Sequence, residues 1–138
     1  SLGGCAQVQK FRTRAQMEKA PVCTDFDFPI YFASGSDQVP AAAMQVIRQH
    51  AGQVRACKVA TVNVTGLSDA EGSAEVNMEL SKRRATAVAR ALAANGYPAP
   101  AFEVAAGGER GAATATGTTP LRRRTEVSVK FAQRTPAA

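Results

Sequence analysis

Between Val59 and Ala94 the chain changes its period. Residues 59–66, VATVNVTG, alternate as a strand with one buried face does. From Ser73 to Ala94 the apolar residues recur at three- and four-residue intervals, the period of a helix. A strand that feeds a helix after so short a link buries both apolar faces by laying the helix on a sheet, which points to an α/β fold. The flanking segments extend that order. FDFPIYF (26–32) is aromatic and β-branched and reads as a strand, with Pro29 pointing to an edge or a bulge. SGSD (34–37) is a turn. PAAAMQVIRQHAGQV (40–54) reads as a helix with Pro40 in its first turn and Met44, Ile47 and Val54 at helical spacing. NG (95–96) stops the long helix. AFEVAA (101–106) and TEVSVKFA (125–132) are further strands, separated by the Gly/Thr-rich loop 107–120. The expected architecture is an α/β sandwich of order β-α-β-α-β-β, with helices covering the sheet.

A chain of 138 residues suffices for one domain with a real core, and 45% hydrophobic residues argue against wholesale disorder. No apolar run reaches the roughly 18 residues a membrane helix needs. The net charge of +6 favours an acidic partner, or simply a solvated basic surface. With no Trp and two Tyr there is little to stack on bases, and the RRR run (122–124) leads into a strand, so nucleic acid is not an expected partner. Enzyme chemistry fits poorly. His50, the single histidine, has no nucleophile motif around it and reads as a surface or boundary residue. The cysteines lack metal-ligand spacing, and neither metal nor cofactor is expected.

One residue conflicts with the helix pattern. With Leu80 set at the centre of the apolar stripe, Val76, Ala87 and Ala91 fall within about 40° of it, Val88 and Leu92 extend it on one side, and Arg84 also lies within about 40° of the centre. Asn77 lies about 60° away on the same side. A guanidinium in a low-dielectric place needs an anion or several acceptors. Two anions are open: a protein carboxylate in a structural salt bridge, or the carboxylate of a ligand. Asp69 lies between the strand and the helix, near a helix N-terminus that favours anions. It reads either as a loop or capping aspartate or as half of a site. An Asp and an inward Arg with Asn77 between them would suit a zwitterion, whose ammonium and carboxylate satisfy both.

The residues Gly66, Asp69, Gly72, Asn77, Leu80-Ser81 and Arg84-Ala85 resemble the OmpA-like peptidoglycan-binding domain. RRRTEVSVKF (122–131) resembles that family's closing Arg-Arg-Val-Glu strand, with Thr125 in the Val place, and IYFASGS (30–36) resembles its first strand. The resemblance spans about residues 26 to 131 and implies a mixed four-stranded sheet. It also implies a function: noncovalent binding of diaminopimelate in the stem peptide of peptidoglycan, which ties the outer membrane or an envelope complex to the wall. Asp69 would take the ligand's ammonium and Arg84 its carboxylate, with Asn77, Leu80, Phe32 and Arg124 around them. Arg124 reads equally well as a strand-surface charge. Departures from the family pattern are Leu67-Ser68 in place of His-Thr and Ala33 in place of a polar residue after Phe32. The alternative is a structural OmpA-like subunit of a secretion, conjugation or motility assembly, with other envelope proteins as partners and little wall binding.

LGGC (2–5) has the Leu-small-small-Cys form of a bacterial lipoprotein cleavage site. Either Cys5 is a lipidation site, or it is an ordinary thiol in a tail. Residues 1–24 are expected to form a flexible tether, 25–133 the binding domain and 134–138 a tail. Ala6 rather than Asp after Cys5 favours, by family resemblance, anchoring to the outer membrane of a Gram-negative bacterium. The resemblance thus puts the domain in the oxidising periplasm, where a Cys23–Cys57 disulfide would persist. If the first two strands run parallel, both cysteines sit at one end of the sheet; the alternative is two buried free thiols.

Overall fold

The alternation at 59–66 forms strand β2, Val59–Leu67, and the helical run that follows forms helix α2, Ala74–Ala94. The computed structural model describes residues 23–69, 72–108 and 122–132. Before β2 come strand β1, Phe26–Tyr31, and helix α1, Ala41–Ala56. After α2 come a single 3-10 turn, Ala99–Ala101, strand β3, Phe102–Gly108, and strand β4, Arg124–Phe131. The expected order β-α-β-α-β-β holds. Pro40 precedes α1 as its N-cap rather than opening its first turn.

The four strands form one mixed sheet in the order β1-β4-β2-β3. β3 pairs parallel to β2, a pairing that needs a crossover, and α2 supplies it. β4 returns antiparallel between β1 and β2, so those two strands run the same way without touching. Pro29 therefore sits on an edge strand, where its missing N–H costs no ladder bond to a second neighbour.

Along β4 burial alternates strictly: Thr125, Val127, Val129 and Phe131 are buried, while Glu126 and Lys130 are exposed. The inward residues meet Phe28 and Ile30 of β1, Val62 and Val64 of β2, and the helical residues Ile47, Ala51, Val54, Ala85, Val88 and Leu92 in one core. His50 lies at its margin, stacked 4.0 Å from the Phe26 ring. Tyr97, 2% exposed, donates from its hydroxyl to the Ile47 carbonyl at 2.9 Å and so ties the end of α2 to α1. Gly96 follows Asn95 with φ 92°, the left-handed residue expected to stop α2.

The buried face of α2 differs from the expected stripe. Its buried residues are Asn77, Ser81, Arg84, Ala85, Val88 and Leu92, while Val76 is 60% exposed. At 100° per residue that face centres about 90° from Leu80. The cause is a close backbone approach. A Cβ on Gly66 would fall onto the Ser81 carbonyl oxygen, 2.9 Å from the Ser81 carbonyl carbon and 3.3 Å from the Ala85 Cβ. The helix meets β2 where Gly66 faces Ser81 and Ala85, neither of which belongs to the stripe centred on Leu80.

Cys23 and Cys57 form a disulfide with their Cα atoms 5.8 Å apart. Cys23 precedes β1 and Cys57 precedes β2, so the bond closes the N-terminal ends of two strands that run the same way. The tether expected over 1–24, with Cys5, lies outside the described residues except for Cys23 and Thr24, and Cys23 is already in the core.

Candidate functional site

At the opposite pole from the disulfide, four segments converge. β1 leads into Phe32 and Ala33, and β2 into Ser68 and Asp69. Ser73 caps α2, its hydroxyl accepting from the Val76 N–H at 3.1 Å, and so starts the helix just after this loop. β4 is preceded by Arg122 and Arg123. Between these segments lies a cavity of about 220 Å³ lined by Ser34, Gly35, Ser68, Asp69, Val76, Asn77, Leu80, Arg84 and Arg123.

Arg84 is 1% exposed, the largest fully buried side chain among the described residues. Its Nε donates to the Ser36 carbonyl at 2.8 Å and its Nη2 to the Ala33 carbonyl at 3.1 Å. Its Cζ stands 5.1 Å above the centre of the Phe32 ring, a cation–π position. The third nitrogen, Nη1, is buried and has no hydrogen-bond partner among the described residues. Burial pulls the Arg84 pKa below its ordinary value; the Asp69 charge opposes that shift and the Arg123 charge adds to it. The group nevertheless stays charged at neutral pH, as an arginine does in proteins.

Asp69 is 6% exposed. Its Oδ2 accepts from Arg123 Nε at 3.0 Å. Arg122 Nε donates to the Ser68 carbonyl at 3.0 Å, and the Ser68 N–H donates to the Gly108 carbonyl at 2.8 Å, so the loop is held from two sides. The Ser68 hydroxyl is buried without a partner among the described residues. Ser81 braces the helix: its Oγ accepts from the Gly108 N–H at 3.0 Å and donates to the Met78 carbonyl at 2.9 Å.

Five of the expected site residues come together here: Asp69, Arg84, Asn77 and Leu80 line the cavity, and Phe32 lies beneath the guanidinium. Arg124 does not join them. Its guanidinium forks onto Glu126 at 2.8 and 2.9 Å, and with Asp27 and Tyr31 it lines a separate hollow of about 530 Å³ on the open face of the sheet. The reason is strand alternation: Thr125 and Val127 point to the helices, so Arg124 points away. The arginine beside Asp69 is Arg123. A parity count along 125–131 would have found it, whereas the motif alignment alone did not. Two other participants carried no signal in the sequence, since the carbonyls of Ala33 and Ser36 can belong to any residue type.

The cavity thus pairs a carboxylate with a guanidinium that retains an unused donor, both shielded from water. It can grip an anion and a cation a few ångströms apart. Among the described residues no group of three or more His, Cys, Asp or Glu is placed to hold a metal.

The profile of the OmpA family matches residues 31–126. Among solved structures, the peptidoglycan-associated lipoprotein from Burkholderia pseudomallei is 23% identical, with a TM-score of 0.64 over 74% of this chain and 89% of its own. The OmpA-like domain of FopA1 from Francisella tularensis is 19% identical, with a TM-score of 0.66 over 79% of this chain and 77% of its own. The periplasmic domain of Helicobacter pylori MotB is 18% identical, with a TM-score of 0.60 over 79% of this chain and 76% of its own. At these identities the likeness is one of fold. No curated protein matches the chain.

Proposed function

The chain belongs to the OmpA family, and from that premise we propose that it binds the diaminopimelate of peptidoglycan stem peptides, noncovalently, in the Asp69–Arg84 cavity. The family generally binds peptidoglycan and its domains are not enzymes. The single observation that carries the ligand assignment is Arg84 Nη1: a buried donor, unpartnered among the described residues, in a cavity whose wall includes Asp69. Leaving such a donor unmet costs about 1–3 kcal/mol or more for a charged group. A ligand carboxylate would recover that cost. Its ammonium would meet Asp69, and the Ser68 hydroxyl and Asn77 would face the same ligand.

In this reading the domain works in the periplasm. Residues 6–22 link it to a lipid on Cys5 in the outer membrane, and the wall and that membrane are held together through it. A co-sedimentation assay on insoluble diaminopimelate-type peptidoglycan tests the reading, paired with titration of stem tripeptides. Lysine in place of diaminopimelate removes the carboxylate for Arg84. Loss of such a charged partner costs about 2–5 kcal/mol, so affinity should fall at least about thirtyfold. Equal affinity for both tripeptides rejects the ligand assignment. Failure to sediment at all assigns the chain to the scaffold role instead.

A further inference from the structure

Given that the cavity takes a zwitterion, we propose that Arg123 sets its selectivity by competing with the ligand's ammonium for Asp69. The guanidinium already stands where such an ammonium would go, with Nε 3.0 Å from Asp69 Oδ2. It is itself a wall of the cavity. Its charge also counts against the neighbouring Arg84, so the ligand-free site holds two repelling cations around one carboxylate. Entry of a zwitterion would put its ammonium in the place of the Arg123 guanidinium, which withdraws, while the ligand's carboxylate at Arg84 offsets the repulsion between the two cations.

The geometry allows the withdrawal at small cost. The Arg123 carbonyl accepts the Phe32 N–H at 2.8 Å, which pins its main chain to the end of β1. Its side chain is 20% exposed, against 8% for that of Asp69. Only side-chain rotation towards solvent is needed, while the backbone of the site stays in place. Arg84 cannot do the same, because two of its nitrogens are bound to the carbonyls of Ala33 and Ser36. The two arginines therefore differ in role: Arg84 is a fixed receptor for the carboxylate and Arg123 a movable occupant of the ammonium position. A ligand with a carboxylate but no ammonium gains nothing at Asp69 and leaves Arg123 seated.

The test uses the whole chain with Arg123→Gln, Arg123→Lys and Asp69→Asn, titrated with two stem tripeptides. One carries diaminopimelate, and the other carries 2-aminopimelate, which keeps the carboxylate and lacks the side-chain ammonium. The readout is the ratio of the two affinities, in which any general effect of charge on carboxylate binding cancels. A partly exposed ion pair is worth up to about fivefold in binding, so Arg123→Gln should raise the ratio by about that factor. Arg123→Lys, which retains a competing cation, should stay near wild type. A ratio that falls in Arg123→Gln overturns the proposal, because it makes Arg123 a support that holds Asp69 in position. An unchanged ratio overturns it too, provided Asp69→Asn still abolishes preference for the ammonium. If wild type and every variant bind neither peptide, the ligand reading fails and the competition falls with it.

Discussion

Arg84 serves two ends at once, which an arginine can do because its fork carries five donors in fixed directions. Two nitrogens fasten the turn after β1, and the third remains for a ligand. The fold and the site therefore share the residue. Arg84→Ala should abolish wall binding and also lower stability by about 2–4 kcal/mol, since two charge-assisted bonds and a filled volume are lost together. Asp69→Asn should lose binding with a much smaller thermal shift, because the amide keeps the shape of the side chain. Melting curves set beside sedimentation separate the two effects; equal melting temperatures for Arg84→Ala and wild type would refute the fastening role. Thr125 offers the converse case. Its hydroxyl is fully buried with no partner among the described residues. Thr125→Val, nearly the same in shape, should stabilise by about 1 kcal/mol or more, read as a higher urea midpoint with an unchanged slope.

At the scale of elements, the site depends on how closely α2 lies on β2. Gly66 permits that contact, and Ser81 locks it with a hydrogen bond to the end of β3. What a Cβ at 66 would strike is backbone, which cannot rotate out of the way. Gly66→Ala should therefore cost about 1–3 kcal/mol by overpacking. It should also weaken wall binding, because Ser68 and Asp69 follow two and three residues later on the same strand end. A variant as stable as wild type in urea would show that the contact is looser than described.

Across the whole molecule, the disulfide and the cavity occupy opposite poles of the sheet. On the proposed function, a load passing from Cys23 to a wall ligand in the cavity would cross the domain from end to end. Among the described strands β1 pairs with β4 alone, and the Cys23–Cys57 bond joins its start to the start of central strand β2. The bonded residues are 34 apart, and opening a loop of that size should cost about 3–4 kcal/mol on the chain-entropy account. The Cys23→Ser, Cys57→Ser double variant should melt at least about 10 °C lower, with wall binding retained below that temperature. Alkali probes the same body through Tyr97, whose pKa burial pushes up to about 12 from an ordinary value of 10.0. The folded state holds the proton more tightly than the unfolded chain, so this contribution is complete below pH 10. It is lost as pH rises from 10 towards 12, by about 2–3 kcal/mol. Tyr97→Phe should flatten that limb of the stability–pH curve, and an undiminished limb would assign it to other groups.

The sequence by itself determined the order and type of the elements, because a period of 2 or 3.6 is written into neighbouring residues. It also marked Arg84, since an inward charge breaks such a period visibly, and the family resemblance then singled out Asp69 in the loop before the helix. Placing Cys23 and Cys57 each just before a strand made their pairing readable once the strands were taken to run the same way. Tertiary structure alone decided which face of α2 is buried. That face is set by Gly66 meeting Ser81 and Ala85, a close approach between separate segments that the local period of the helix does not record. It alone decided that Arg84 is held by carbonyls 48 and 51 residues away, acceptors that every residue carries. It also decided that Arg123 reaches Asp69. The period of β4, carried back one residue before the strand, turns Arg123 rather than Arg124 towards the helices, but only the packing of β4 between β1 and β2 brings it within 3.0 Å of Asp69. Local periodicity records where a side chain points, whereas partners are chosen by contacts between residues distant in the chain.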